Sequence, residues 1–104
     1  MARQTISALC PSSRPIFRGP VGVVIKATFP CPKKDHRARV KAPERWDTRL
    51  TGDVDNIAKA TLDAANGLIW QDDRQVVQLT VSKVIAAQGA DPGILFTAVE
   101  LEEL

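Results

Sequence analysis

The chain has 104 residues, 44% of them hydrophobic and 25% charged, with a formal net charge of +2. That is the length of one domain, and it excludes barrel enzymes and two-domain nucleotide enzymes. No apolar run approaches the roughly 18 residues of a membrane span, and the first 20 residues lack the apolar stretch of a secretory signal. Cys10 and Cys31 do not make a disulfide framework, so the expectation is a cytoplasmic protein with reduced thiols and no membrane contact. Cys31 and His36 lack two further ligands at zinc spacing.

The charge is unevenly spread. Residues 1–34 contain no Asp or Glu. Seven of the 14 Lys and Arg residues are Lys33, Lys34, Arg37, Arg39, Lys41, Arg45 and Arg49, opposed locally only by Asp35, Glu44 and Asp47. Acidic residues gather from Asp53 to Asp73 and again at Glu100, Glu102 and Glu103. A basic arm beside an acidic cluster suits phosphate binding next to a metal site. The same arm also reads as a solvated surface loop.

In chain order, Met1 to Leu9 reads as a short helical end, with Ala2, Ile6 and Leu9 on one side and Pro11 and Pro15 stopping it. Val21 to Phe29 alternates as a strand, with Val21, Val23, Ile25, Ala27 and Phe29 on one face. Residues 33–52 show no period and read as a long loop. Asp53 is placed to cap a helix whose core stripe is Ile57, Thr61, Ala64 and Leu68, with Gly67 near its end. Val76 to Ile85 reads as a second strand with Val77, Leu79 and Val81 inward. A turn from Gly89 to Gly93 leads to a third strand, Ile94 to Leu101, expected to pair antiparallel with the second. The fold class is α+β: a small mixed or antiparallel sheet with one main helix on one face. His36 reads as an exposed loop histidine and Trp70 as core. Trp46 is placed either to stack on an unpaired base or to fold onto the loop base.

At 100° per residue, Asp55, Asn56, Lys59, Asp63 and Asn66 share about a 100° arc of that helix. Asp53 stands at its mouth, and Asp72 and Asp73 follow it in an acidic turn. Carboxylates near a lysine suit a hard divalent cation that polarises a phosphoryl oxygen, with the lysine neutralising charge in the transition state. The same residues also suit plain structural duties. Asp53 and Asp55 complement the helix dipole, Lys59 and Asp63 form a surface pair, and Asp72 and Asp73 make a turn.

The stretch Gly52-Asp-Val-Asp-Asn-Ile-Ala-Lys59, then Asp63-Ala-Ala-Asn-Gly67, then Asp72-Asp-Arg-Gln-Val76 resembles the RusA family of Holliday-junction resolvases, small endonucleases of bacteria and their prophages. The family carries D-x-D-N-x-x-K, D-A-x-x-G and D-D-x-Q-[VI] at closely this spacing. Phe29-Pro-Cys-Pro-Lys-Lys34 is similar to its F-x-x-P segment after a strand. The resemblance covers Pro20 to Glu100.

It implies a magnesium-dependent (or manganese-dependent) homodimer that nicks four-way junction DNA in recombination and repair. Asp53, Asp55 and Asp73 would bind the metal and Lys59 would be catalytic, with Asn56, Asp63 and Asp72 supporting. Lys33, Lys34, Arg37, Arg39, Lys41, Arg45 and Arg49 would hold the DNA backbone through its phosphates. All of 1–104 is then one RusA-like domain, with 1–20 an irregular N-terminal remnant and 33–52 the basic loop. Family members usually begin with a further strand, a basic loop and a long helix, so this chain reads as a shortened form. A truncated junction-binding protein with impaired catalysis is the alternative. Gly52 stands where the family more often has Pro, which is expected to loosen the start of the helix.

Overall fold

The computed structural model describes residues 5–7, 16–37, 39–50 and 52–104. Among the described residues, five strands form one mixed sheet: β1 (Thr5–Ser7), β2 (Val21–Phe29), β3 (Arg45–Trp46), β4 (Val76–Ile85) and β5 (Gly93–Glu100), in the spatial order β1-β5-β2-β4-β3. One helix, α1 (Val54–Ala65), lies on one face. This is the α+β architecture that the residue pattern implies.

β2 occupies the centre because its alternation is the cleanest in the chain. Val21, Val23, Ile25 and Ala27 are all buried. β2 runs parallel to β4, with Ile25 opposite Val81, and antiparallel to β5, with Val23 opposite Ala98. Parallel neighbours need a crossover, and α1 supplies it. The expected antiparallel pairing of the last two strands is therefore wrong, since β2 lies between them. The first residue beyond β4 stays tied to β2, Ala86 N–H donating to Phe29 O at 2.7 Å. The segment between β4 and β5 then carries the chain across the end of β2.

The N-terminal helical reading also fails within the described residues. Thr5–Ser7 is a strand that pairs antiparallel with β5, Thr5 opposite Val99. An open β5 edge offers ladder partners, and the β-branched Thr5 and Ile6 suit a strand. Ala2 and Leu9 lie outside the described residues. Segment 1–20 is thus not wholly irregular: Phe17 is also fixed, buried and bridged to Trp70. Nor is 33–52 all loop. It contains a 3-10 turn at Lys33–Asp35 and the edge strand β3, where Arg45 faces Ile85.

The core joins Phe17, Val21, Val23, Ile25 and Phe96 to Ala65, Ile69 and Trp70. The Trp70 and Phe96 rings stand 6.2 Å apart, tilted by 34°. The buried stripe of α1 and its exit is Ile57, Leu62, Ala65 and Ile69, not the expected Ala64 and Leu68. Leu68 is 63% exposed because the helix ends at Ala65. Gly67, at φ +82°, then turns the chain before Leu68 can follow the helical period. On β4, Val81 packs against the core, but Val77 and Leu79 are exposed. The register shifts so that Val76 faces Val21 and Gln78 faces Gly22, leaving Val77 as the bulged residue.

Candidate nucleic-acid interface

The approach to α1 sets the position of the acidic residues. Gly52 has φ +72°, and a Cβ built there would stand 3.0 Å from Phe29 Cζ. Proline, fixed near φ −65°, cannot adopt this conformation. Gly52 is therefore required by the turn, and the expected loosening is replaced by a conformational demand. Asp53 takes the N-cap position, but its side chain makes no capping hydrogen bond. Asp55, Asn56, Lys59, Asp63 and Asn66 are all exposed. Among the described residues, Asp53, Asp55, Lys59 and Asp63 enter no salt bridge. The surface pair between Lys59 and Asp63 does not form.

The basic segment closes over the same end of the sheet. Gly52 lies against the Phe29 ring, and the Arg49 guanidinium sits 5.8 Å from the centre of that ring. Arg49 Nε and Nη2 donate to the Asp47 carboxylate at 2.8 and 2.9 Å. Lys83 Nζ donates to Arg49 O at 2.8 Å. Asp47 is the one buried charged residue among those described. Hydrogen bonds from the Arg49 side chain hold its carboxyl down at about 2, against the upward push of burial. Arg45 is likewise tied, to Asp35 and Cys31. Lys33, Lys34, Arg37, Arg39 and Lys41 are exposed and make no ion pair among the described residues. His36 is exposed beside them. Trp46 is 72% exposed on the edge strand, so it does not fold onto the loop base. Trp70 is fully buried, as expected.

Asp72 and Asp73 lie elsewhere. They stand just before Val76, the residue that faces Val21 at the start of β2, whereas Gly52 and Asp53 lie by Phe29 at its end. The 12 residues of α1, about 18 Å of helix, separate Asp53 from Asp73. Among the described residues, no group of three His, Cys, Asp or Glu side chains is close enough to hold a metal ion. The expected convergence of Asp53, Asp55 and Asp73 is therefore not made within one copy of the chain.

What the acidic turn does locally is clear. Asp73 Oδ1 accepts the Trp70 Nε1–H at 2.8 Å, giving the buried indole its partner. Asp72 and Gln75 form a capping box around the 3-10 turn at Asp73–Gln75, and the Arg74 N–H lowers the Asp72 pKa. Gln75 Nε2 also donates to Phe17 O at 2.9 Å and Gly19 O at 3.0 Å. The sequence motif D-D-x-Q contains Gln75 but assigns it no role, although Asp followed three positions later by Gln is a capping-box signal.

Among the described residues, one helix on a mixed sheet, with basic and acidic surfaces at one end, defines a class: a small α+β protein. The family described as endodeoxyribonuclease RusA matches residues 1–94, and the chain belongs to that family. It is also 39% identical over 87 residues to the uncharacterized protein YqaN of Bacillus subtilis (strain 168), a match covering 78% of this chain and 61% of that protein. The chain thus spans about three fifths of the length of this curated relative. Among the described residues, no helix is long and apolar enough to cross a membrane.

Proposed function

We propose that this chain is a structure-specific endodeoxyribonuclease domain that binds four-way DNA junctions through its basic end. One observation carries this reading. Five exposed cations, Lys33, Lys34, Arg37, Arg39 and Lys41, belong to a segment anchored at the end of the sheet where Asp53 and Asp55 open α1. Phosphates gripped by the cations would lie beside carboxylates that are not engaged in capping or ion pairs. There Asp53 and Asp55 would accept a proton or orient a water. Lys59, four residues beyond Asp55 on the same helical face, would neutralise charge on the phosphoryl oxygens. A symmetric homodimer would present two such ends to a two-fold junction. Cleavage would require magnesium or manganese.

The separation of Asp73 from Asp53 within one copy favours a second reading, in which this chain grips junction DNA without cutting it. A synthetic four-way junction separates the two, assayed in EDTA and then in magnesium or manganese. Paired nicks that vanish in Asp53→Asn and Asp55→Asn support the nuclease. Equal binding in EDTA with no nick in either cation supports the binding module. Affinity that does not change between about 50 and 200 mM salt refutes both, because phosphate contacts release counterions.

A further inference from the structure

We propose that Gln88, in the connection between β4 and β5, is a positioning residue for DNA binding that presets the shape of the basic loop. The proposal rests on the nucleic-acid reading of the basic end. Gln88 is 51 positions from Arg37 in sequence, yet its side chain closes the loop as a bracket. Its Oε1 accepts the Arg37 N–H at 2.9 Å and the Ala42 N–H at 3.1 Å, while its Nε2 donates to Arg37 O at 3.2 Å. Its own N–H donates to Ala42 O at 2.8 Å. One residue thus holds both ends of the 37–42 stretch of the loop. Arg39 and Lys41 lie between those two points.

The neighbouring turn fits the same role. Gly89 has φ +89°, and a Cβ there would lie 3.9 Å from Lys41 Nζ. The turn therefore lies directly beneath the loop. Arg37, Arg39 and Lys41 are all exposed, and among the described residues it is the Gln88 side chain that ties Arg37 and Ala42 to the β4–β5 connection. A loop held in one shape presents its charges to phosphates already arranged. A loose loop must be ordered on binding, at a cost that grows with each side chain fixed.

Gln88→Met tests this in the full chain, since it keeps the length of the side chain and removes all three of its hydrogen bonds. Affinity for a labelled four-way junction is followed by fluorescence anisotropy across about 50 to 200 mM salt. Amide hydrogen exchange is read in the free protein. The variant is expected to bind about tenfold more weakly, as the ordering of two or three side chains implies, with an unchanged salt slope because the same phosphates are met. Arg39→Ala, by contrast, should lower the slope by about 0.9. Exchange at Arg37 and Ala42 should accelerate, while Ile25 and Val81 in the central ladder stay protected. That ladder protection is the control for a variant that merely unfolds.

Parental affinity in Gln88→Met, or parental protection at Arg37 and Ala42, overturns the proposal. A loss of affinity accompanied by a reduced slope also overturns it, because Gln88 would then act by removing a contact rather than by ordering the loop. A parent chain with flat salt dependence refutes the DNA reading itself. In that case the exchange data still show whether Gln88 holds the loop.

Discussion

Replacing Gly52 by alanine tests the account of how α1 is launched. At φ +72° an alanine carries a left-handed penalty of about 1 kcal/mol. Its Cβ would also stand 3.0 Å from Phe29 Cζ, a separation that forces the ring to move. Arg49 occupies one face of that ring, so the movement disturbs a second contact, and overpacking of this kind costs about 1–3 kcal/mol. Alanine lowers the entropy of the unfolded chain and so offsets about 0.4–1 kcal/mol. The net loss is roughly 2–3 kcal/mol, or about 10–20 °C in melting temperature for a domain of this size. Gly67 is the control. Its φ is +82°, but no atom lies within 4 Å of a Cβ placed there. Gly67→Ala should therefore lose only the conformational part, about 1 kcal/mol or less. Thermal and urea unfolding of both variants measure the difference. Equal losses in the two, or a loss at Gly52 below about 1 kcal/mol, would refute the claim that Phe29 demands glycine here.

The Asp47 carboxyl is held at about 2, below its value in an unfolded chain. Its ion pair with Arg49 therefore contributes full stability above about pH 4 and loses it as the pH falls towards 2. Asp47→Asn should destabilise the protein at pH 7 by about 2 kcal/mol and flatten the acid limb of the stability curve. A melt against pH that is the same in variant and parent contradicts this. Asp73→Ala leaves the buried Trp70 indole N–H without its partner and should cost about 1–2 kcal/mol, whereas Asp73→Asn keeps an acceptor and should cost less. Junction cleavage measured on the stable Asp73→Asn variant then separates a chemical role from the structural one: nicking at the parental rate leaves Asp73 with only its bond to the indole.

Much of the architecture was legible in local pattern. The alternation of β2, the length of β4 and the polar face of α1 follow from side-chain periodicity, which is a property of neighbours in sequence. The motifs D-x-D-N-x-x-K and D-D-x-Q marked the chain as a relative of the RusA resolvases, and the family match bears that out. Strand order was not legible, because β5 could satisfy its ladder against either β4 or β2. Only the competition for the buried centre put β2 between them. The helix stripe was misread by one position because Ala64 and Ala65 are alike in sequence, and the sheet beneath decides which of them is covered.

The candidate site divides along the same line. Sequence alone determined which side chains carry charge and that Asp55 and Lys59 share a helical face with Asp53 at its mouth, since spacing along a helix fixes direction. Tertiary structure alone decided that Asp73 serves a buried indole at the far end of that helix. It also decided that Asp47 locks Arg49, and that Gln88 and Gln75 bracket chain segments 46 to 58 residues away. Those contacts join atoms that are distant along the chain, and they exist only because the sheet brings its strand ends together.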